Sequence, residues 1–132
     1  MIVLDTHALL WWVSGDTQSL SPTAARAIGH EMQGGKVLVS SISAWEIAML
    51  IAKGRIGLSM DIEQWLKTVA EIPSLSFVPI DNEIALKSVE LPGEFHKDPA
   101  DRMIVATARK FSAPLVTADE KIQAYAHVKT LW

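Results

Sequence analysis

The sequence predicts an α/β domain built on a parallel sheet of four to five strands, with helices covering both faces. Three observations carry this expectation. Short runs rich in Val, Ile and Leu alternate along the chain with longer runs of helical length. The short runs are apolar at successive positions, the pattern of strands buried on both faces. All 132 residues (1–132) fit one domain, long enough to bury about two thirds of the surface its unfolded chain exposes.

The elements follow in order. "IVLD" (2–5) is a first strand ending in an acid, and "THALLWWV" a helix closed by Ser14, Gly15 and Asp16. A second helix over 21–33 opens with Ser21 as N-cap and Pro22 at its first position, and Gly34-Gly35 stops it. "KVLVSS" (36–41) is the second strand. Helices over 43–53 and 60–72 end at Gly54 and Pro73. "SFVPID" (76–81) is the third strand, followed by a helix to about Val89. Another helix starts within "HKDPADRMIVATA" (96–108). "PLVTAD" (114–119) is the fourth strand and "HVKTLW" (127–132) the candidate fifth.

Bulk chemistry narrows the function. The net charge of -3 argues against a broadly basic nucleic-acid coat, though not against a local basic rim around an acidic site. With no cysteine, disulfides and thiolate zinc sites are excluded. The apolar N-terminus lacks a basic leader, a cleavage site and an apolar run of membrane-spanning length. The expectation is a soluble, cytoplasmic protein with no membrane partner.

Sites in parallel sheets form at the carboxyl ends of the strands, so acids there matter. Asp5 ends the first strand, and Thr117 and Asp119 follow the fourth. Glu46 and Asp101 lie near the starts of helices. Each has a structural explanation by itself. Asp5, Asp98 and Asp119 are suitable N-caps, and Ser43-Ala44-Trp45-Glu46 fits a capping box. Gathered together they are costly: two carboxylates ~4 Å apart at an effective dielectric of ~20 repel by ~4 kcal/mol. A divalent cation with hard oxygen ligands offsets that repulsion. It would also activate a water and stabilise charge on a phosphate, beside helix N-termini that favour anions.

Within 96–108 the two acids separate. Asp98 before Pro99 suits an N-cap, which places Asp101 at the third helical position. Asp101 then shares a face with Ile104, Val105 and Ala108, pointing along the sheet towards Asp5.

The segments "LDTHALLWW" (4–12), "SSISAWEIAMLIAKGRIGL" (41–58), "HKDPADRMIVATA" (96–108) and "LVTADEKIQAY" (115–125) stand in order along the chain. In them the chain resembles PIN-domain ribonucleases of the VapC toxin type, over nearly its whole length. The resemblance implies a three-layer α/β/α sandwich. It implies Mg²⁺ or Mn²⁺ held by Asp5, Glu46, Asp101 and Asp119, with Thr6 and Thr117 supporting; Asp98, placed outside the helix by its N-cap position, is free to cap or at most to make an outer contact. It further implies endonucleolytic cleavage of RNA and inhibition by a VapB-type antitoxin. Members of the family differ in how much the fourth acid, here Asp119, matters.

Arg102, Lys97, Lys53 and Arg55 are candidates for gripping the RNA backbone, with ordinary surface charge as the competing explanation. Trp11, Trp12 and Trp45 could stack bases, but their apolar helical settings favour packing. "AWEIAMLIA" is apolar around nearly its whole circumference, which suggests central burial or cover by another chain, either the antitoxin or a second copy in a homodimer. The four histidines are too dispersed for a catalytic pair, although His7 and His96 fall near the acids. Two other functions compete: a phosphoacceptor domain using Asp81 with Thr117 and Lys129, which leaves Glu46 and Asp101 unexplained, and an inactive binding module of the same fold.

Overall fold

The structure is a computed structural model describing residues 1–132. Its elements are β1 (Ile2–Leu4), α1 (Thr6–Ser14), α2 (Pro22–Glu31), β2 (Val37–Ser40), α3 (Ile42–Ala52) and α4 (Ile62–Ala70). They continue with β3 (Leu75–Val78), α5 (Asn82–Val89), α6 (Pro99–Lys110), β4 (Leu115–Val116), α7 (Glu120–Gln123) and β5 (Thr130–Leu131). All the strands pair in parallel, in the order β3-β2-β1-β4-β5.

Successive residues of a strand point to opposite faces, and β1 shows what this does. Ile2 and Leu4 enter one core with Leu9, Ala24, Ile28, Trp65 and Val69 from α1, α2 and α4. Val3 enters the other with Ile84, Ile104, Val105 and Ile122 from α5, α6 and α7. The result is a three-layer α/β/α sandwich with β1 at its centre. Burying a Leu, Ile or Val side chain stabilises by about 1.5–3 kcal/mol, and the continuous apolar strands do so on both faces.

The strands are shorter than their apolar runs. β1 stops at Leu4, which pairs with Val39 and Val116, and Asp5 turns out of the sheet to cap α1. α1 ends at Gly15, whose φ of 72° lies in the left-handed region and whose N–H reaches Trp11 and Trp12 carbonyls. A Cβ there meets open space, so Gly15→Ala is expected to cost about 1 kcal/mol through backbone strain alone, measurable by urea unfolding. β3 ends at Val78, and Asp81 caps α5 by accepting from the Ile84 N–H at 2.9 Å.

Two local expectations are corrected here. The capping box at Ser43 does not form: α3 begins at Ile42 after Ser41, which makes no side-chain cap bond, and Ser43 is buried inside the helix. The phosphoacceptor alternative also loses its site. Asp81 follows an edge strand and pairs with Lys110, at the opposite end of α6 from Asp101. No helix is long and apolar enough to cross a membrane.

Candidate metal centre

The chain leaves β1 towards β2 and β3 on one side, then returns to lay β4 on the other side of β1. Such a reversal opens a crevice at the carboxyl ends of the strands. Asp5 leaves β1 there, and Asp119 follows β4 after Thr117 and Ala118. α3 contributes Glu46 and α6 contributes Asp101. These four acids, with Thr6, His7, Trp11, Ile104 and Ala118, line one cleft of about 290 Å³.

Each carboxylate is held by the local structure that presents it. Asp5 Oδ1 accepts from the Ala8 N–H at 2.8 Å, so capping α1 and facing the cleft are compatible roles. The Thr117 hydroxyl, fully buried, accepts from the Asp119 N–H at 3.0 Å and donates to Asp5. Asp119 Oδ1 in turn caps α7, accepting from Lys121 and Ile122 N–H groups. Across the cleft, Thr6 donates to Glu46 Oε1 at 2.5 Å. That leaves the Ser43 hydroxyl to donate to Thr6 Oγ1 at 2.8 Å. Thr117 thus links Asp5 to Asp119, and Thr6 links Glu46 to Ser43.

Asp101 differs in making no cap bond with its side chain. Asp98 is the N-cap of α6, accepting from the Asp101 backbone N–H at 3.0 Å, with Pro99 at the first helical position. Ile104, Val105 and Ala108 are buried beneath α6, so the Asp101 side chain is carried towards the cleft by the face that packs on the sheet.

The electrostatics are those of an uncompensated anion cluster. Burial pushes the Asp5 and Glu46 carboxyls above their ordinary range, against the hydrogen bonds from Thr117 and Thr6 respectively. Asp101 is pushed up to about 7, first by burial and then by Asp98, Asp119, Glu46 and Asp5. No Lys or Arg lines the cleft. No three of its acidic or histidine side chains already form a closed cation cage. With one oxygen of Asp5, Glu46 and Asp119 tied to protein donors, the set suits a cation that takes few carboxylates and keeps several waters, as Mg²⁺ does.

Other expected contacts fall elsewhere. Arg102 is not at the rim. Its guanidinium donates to the carbonyls of Ser88 (2.7 Å), Val89 (3.3 Å), Phe95 (3.0 Å) and His96 (3.1 Å), tying the end of α5 and the following loop to α6. Lys53 caps the far end of α3 and Arg55 lies beyond it, while Lys97 is exposed beside Asp98. None of the three lines the cleft. Of the tryptophans only Trp11 does, between His7 and Trp132, with ring centroids at 5.6 and 5.7 Å. Lys121 borders the acids from a neighbouring hollow, together with His96 and Glu120. Nothing in the sequence singles out Lys121, because it is one charge in a short polar helix.

Comparison with known proteins bears on the family and the fold. The PIN domain family model matches residues 2–128. Ribonuclease VapC22 of Mycobacterium tuberculosis is 37% identical over 133 residues, covering 99% of this chain and 98% of the relative. Two solved structures share the fold. VapBC2 from Rickettsia felis, bound to a DNA fragment from their promoter, has a TM-score of 0.69 at 17% identity, covering 98% of this chain and 97% of that one. A toxin–antitoxin complex from Klebsiella pneumoniae has a TM-score of 0.64 at 24% identity, covering 97% and 95%.

Proposed function

Since the chain belongs to the PIN-domain family, we propose that it is a Mg²⁺- or Mn²⁺-dependent endoribonuclease, the toxin of a VapBC-type pair. The observation that carries this reading is the meeting of Asp5, Glu46, Asp101 and Asp119, from four separate segments, in one cleft that no Lys or Arg side chain lines. A fold gains nothing from such repulsion unless a metal offsets it. The 37% identity with a ribonuclease across nearly the full chain supports the same substrate class.

In this reading Asp5 and Asp101 are the principal metal ligands, with Glu46 and Asp119 completing the set directly or through water. The bound ion supplies Lewis acidity and a water of lowered pKa for attack on phosphorus. Thr6 and Thr117 fix the carboxylates of Glu46 and Asp5. Burial of Asp5 and Glu46 keeps the polar groups of the cleft in a low-dielectric setting, where charge–charge interactions are strong. Lys121 is placed to meet a substrate phosphate beside the acids.

The exposed face of α3 provides the assembly surface. Only Ser43 and Ile47 of that helix are buried, while Trp45 is 57% exposed with Ala48 and Ala52 also open. We assign it to protein contact, with a VapB-type antitoxin and with a second copy in a homodimer. Trp45→Glu is expected to weaken assembly without loss of the fold, checked by light scattering beside circular dichroism.

The test of activity is cleavage of a single-stranded RNA with Mg²⁺ or Mn²⁺. EDTA should abolish it and added metal restore it. Asp5→Asn should lose at least about a hundredfold, because metal stabilisation of the transition state is worth several kcal/mol. Equal cleavage by wild type and variant would assign the activity to another site or a contaminant.

A further inference from the structure

One buried nitrogen beside the cleft has no hydrogen-bond partner. His96 Nε2 is shielded from solvent and lies 3.2 Å from Asp101 Oδ2. The pair is within hydrogen-bond distance but off the ideal direction, and no other group satisfies Nε2. The other ring nitrogen is engaged: Nδ1 accepts from the Asp98 N–H at 3.4 Å. With Nδ1 as acceptor, the proton of the neutral ring sits on Nε2 and faces the carboxylate.

The ring is held there from several sides. Its face packs against Phe95 with centroids 4.3 Å apart, and Phe95 packs against Tyr125 at 4.7 Å. Tyr125 donates to the Pro92 carbonyl, and Arg102 donates to the carbonyls of Phe95 and His96 themselves. The backbone at Phe95 and at His96 itself is therefore anchored to α6, the helix that carries Asp101. The charged groups that weigh on Asp101 are all acids, Asp98, Asp119, Glu46 and Asp5, and an ionised acid cannot donate to it.

We propose that His96 is a positioning residue for Asp101: its Nε2–H holds one carboxylate oxygen and leaves the other for the cation. The proposal deepens the metal-centre reading and rests on it. Outer partners of this type orient a ligand and sharpen its affinity without touching the metal.

The distinguishing variants are His96→Gln, whose amide reaches the Nε2 position, and His96→Asn, whose amide reaches only that of Nδ1. Mn²⁺ binding to the full chain is read from the free-ion electron paramagnetic resonance signal, with Asp101→Asn alongside and melting in EDTA as a fold check. His96→Asn should bind Mn²⁺ about 10- to 100-fold more weakly, and His96→Gln within about threefold of wild type. In RNA cleavage the same loss should appear in kcat with KM unchanged. Two results overturn the inference: wild-type affinity in His96→Asn, or equal loss in both variants with a lowered melting temperature. Wild-type Mn²⁺ affinity in Asp101→Asn would instead remove the metal-centre reading itself, and this inference with it.

Discussion

Asp101→Asn is expected to raise the melting temperature of the metal-free protein by several degrees at pH 8 while RNA cleavage falls at least about a hundredfold. Few substitutions at an active site separate the two effects so clearly. Asp101 is pushed up to about 7 in the folded protein, by burial first and by Asp98, Asp119, Glu46 and Asp5 next. In the unfolded chain its carboxyl titrates near its ordinary value of ~3.9. Between those values the native state holds a proton that the unfolded state has lost, so stability falls as pH rises through that window. Above about pH 7 the full penalty stands, at most about 4 kcal/mol. Asparagine removes the charge and keeps an acceptor for His96 Nε2. It leaves the helix start intact, because Asp98 and not Asp101 caps α6.

Melting curves in EDTA at several pH values check the sign. The advantage of the variant should be complete at pH 8 and vanish below about pH 4. A lower melting temperature for the variant at pH 8 would mean that the carboxylate stabilises the apoprotein. Adding Mn²⁺ should reverse the ranking, since only wild type gains binding energy from the cation.

Arg102→Ala is expected to lose about 3–5 kcal/mol of stability, the largest loss of any single polar substitution discussed. Hydrogen bonds from a charged donor are worth about 1.5–3 kcal/mol each, and carbonyls stripped of their donor add a desolvation penalty. The guanidinium spans the Ser88 and Val89 carbonyls at the end of α5 and those of Phe95 and His96 in the loop. Arg102→Lys should recover little, because an ammonium on a flexible stem cannot reproduce a planar fork aimed at two segments. Chemical denaturation of the three proteins checks the ranking. Near wild-type stability of Arg102→Lys would show that charge alone, without the fork, holds the loop. Mn²⁺ affinity should fall with stability, because the same loop carries His96.

The layered α/β architecture was legible in the sequence because its signals are local and strong. Runs such as "VLV" are apolar at every position, and Ser21-Pro22 and Asp98-Pro99 mark helix starts by backbone chemistry alone. Strand ends were less legible. The fourth strand looked like 114–119 but pairs only over Leu115–Val116, since pairing stops where the partner strand ends. The short-range pattern at Glu46 fits a capping box as the competing explanation to a metal ligand, whereas its partner is Thr6, forty positions away.

What the sequence determined by itself is which acids are available, that Asp98 caps while Asp101 does not, and that α3 is apolar enough to call for central burial or cover by another chain. What only the tertiary structure decided is which side chains meet. Arg102, three residues after a proline and one after a ligand candidate, reads as a surface cation until the fold wraps four carbonyls around it. His96 is a lone histidine until the loop turns its Nε2 onto Asp101. The physical reason is one of range. Helix starts and buried strands follow from interactions within a few residues, which the sequence displays. A carboxylate's neighbours come from strand order, and β4 reaches β1 only after the chain has built β2 and β3 on the other side.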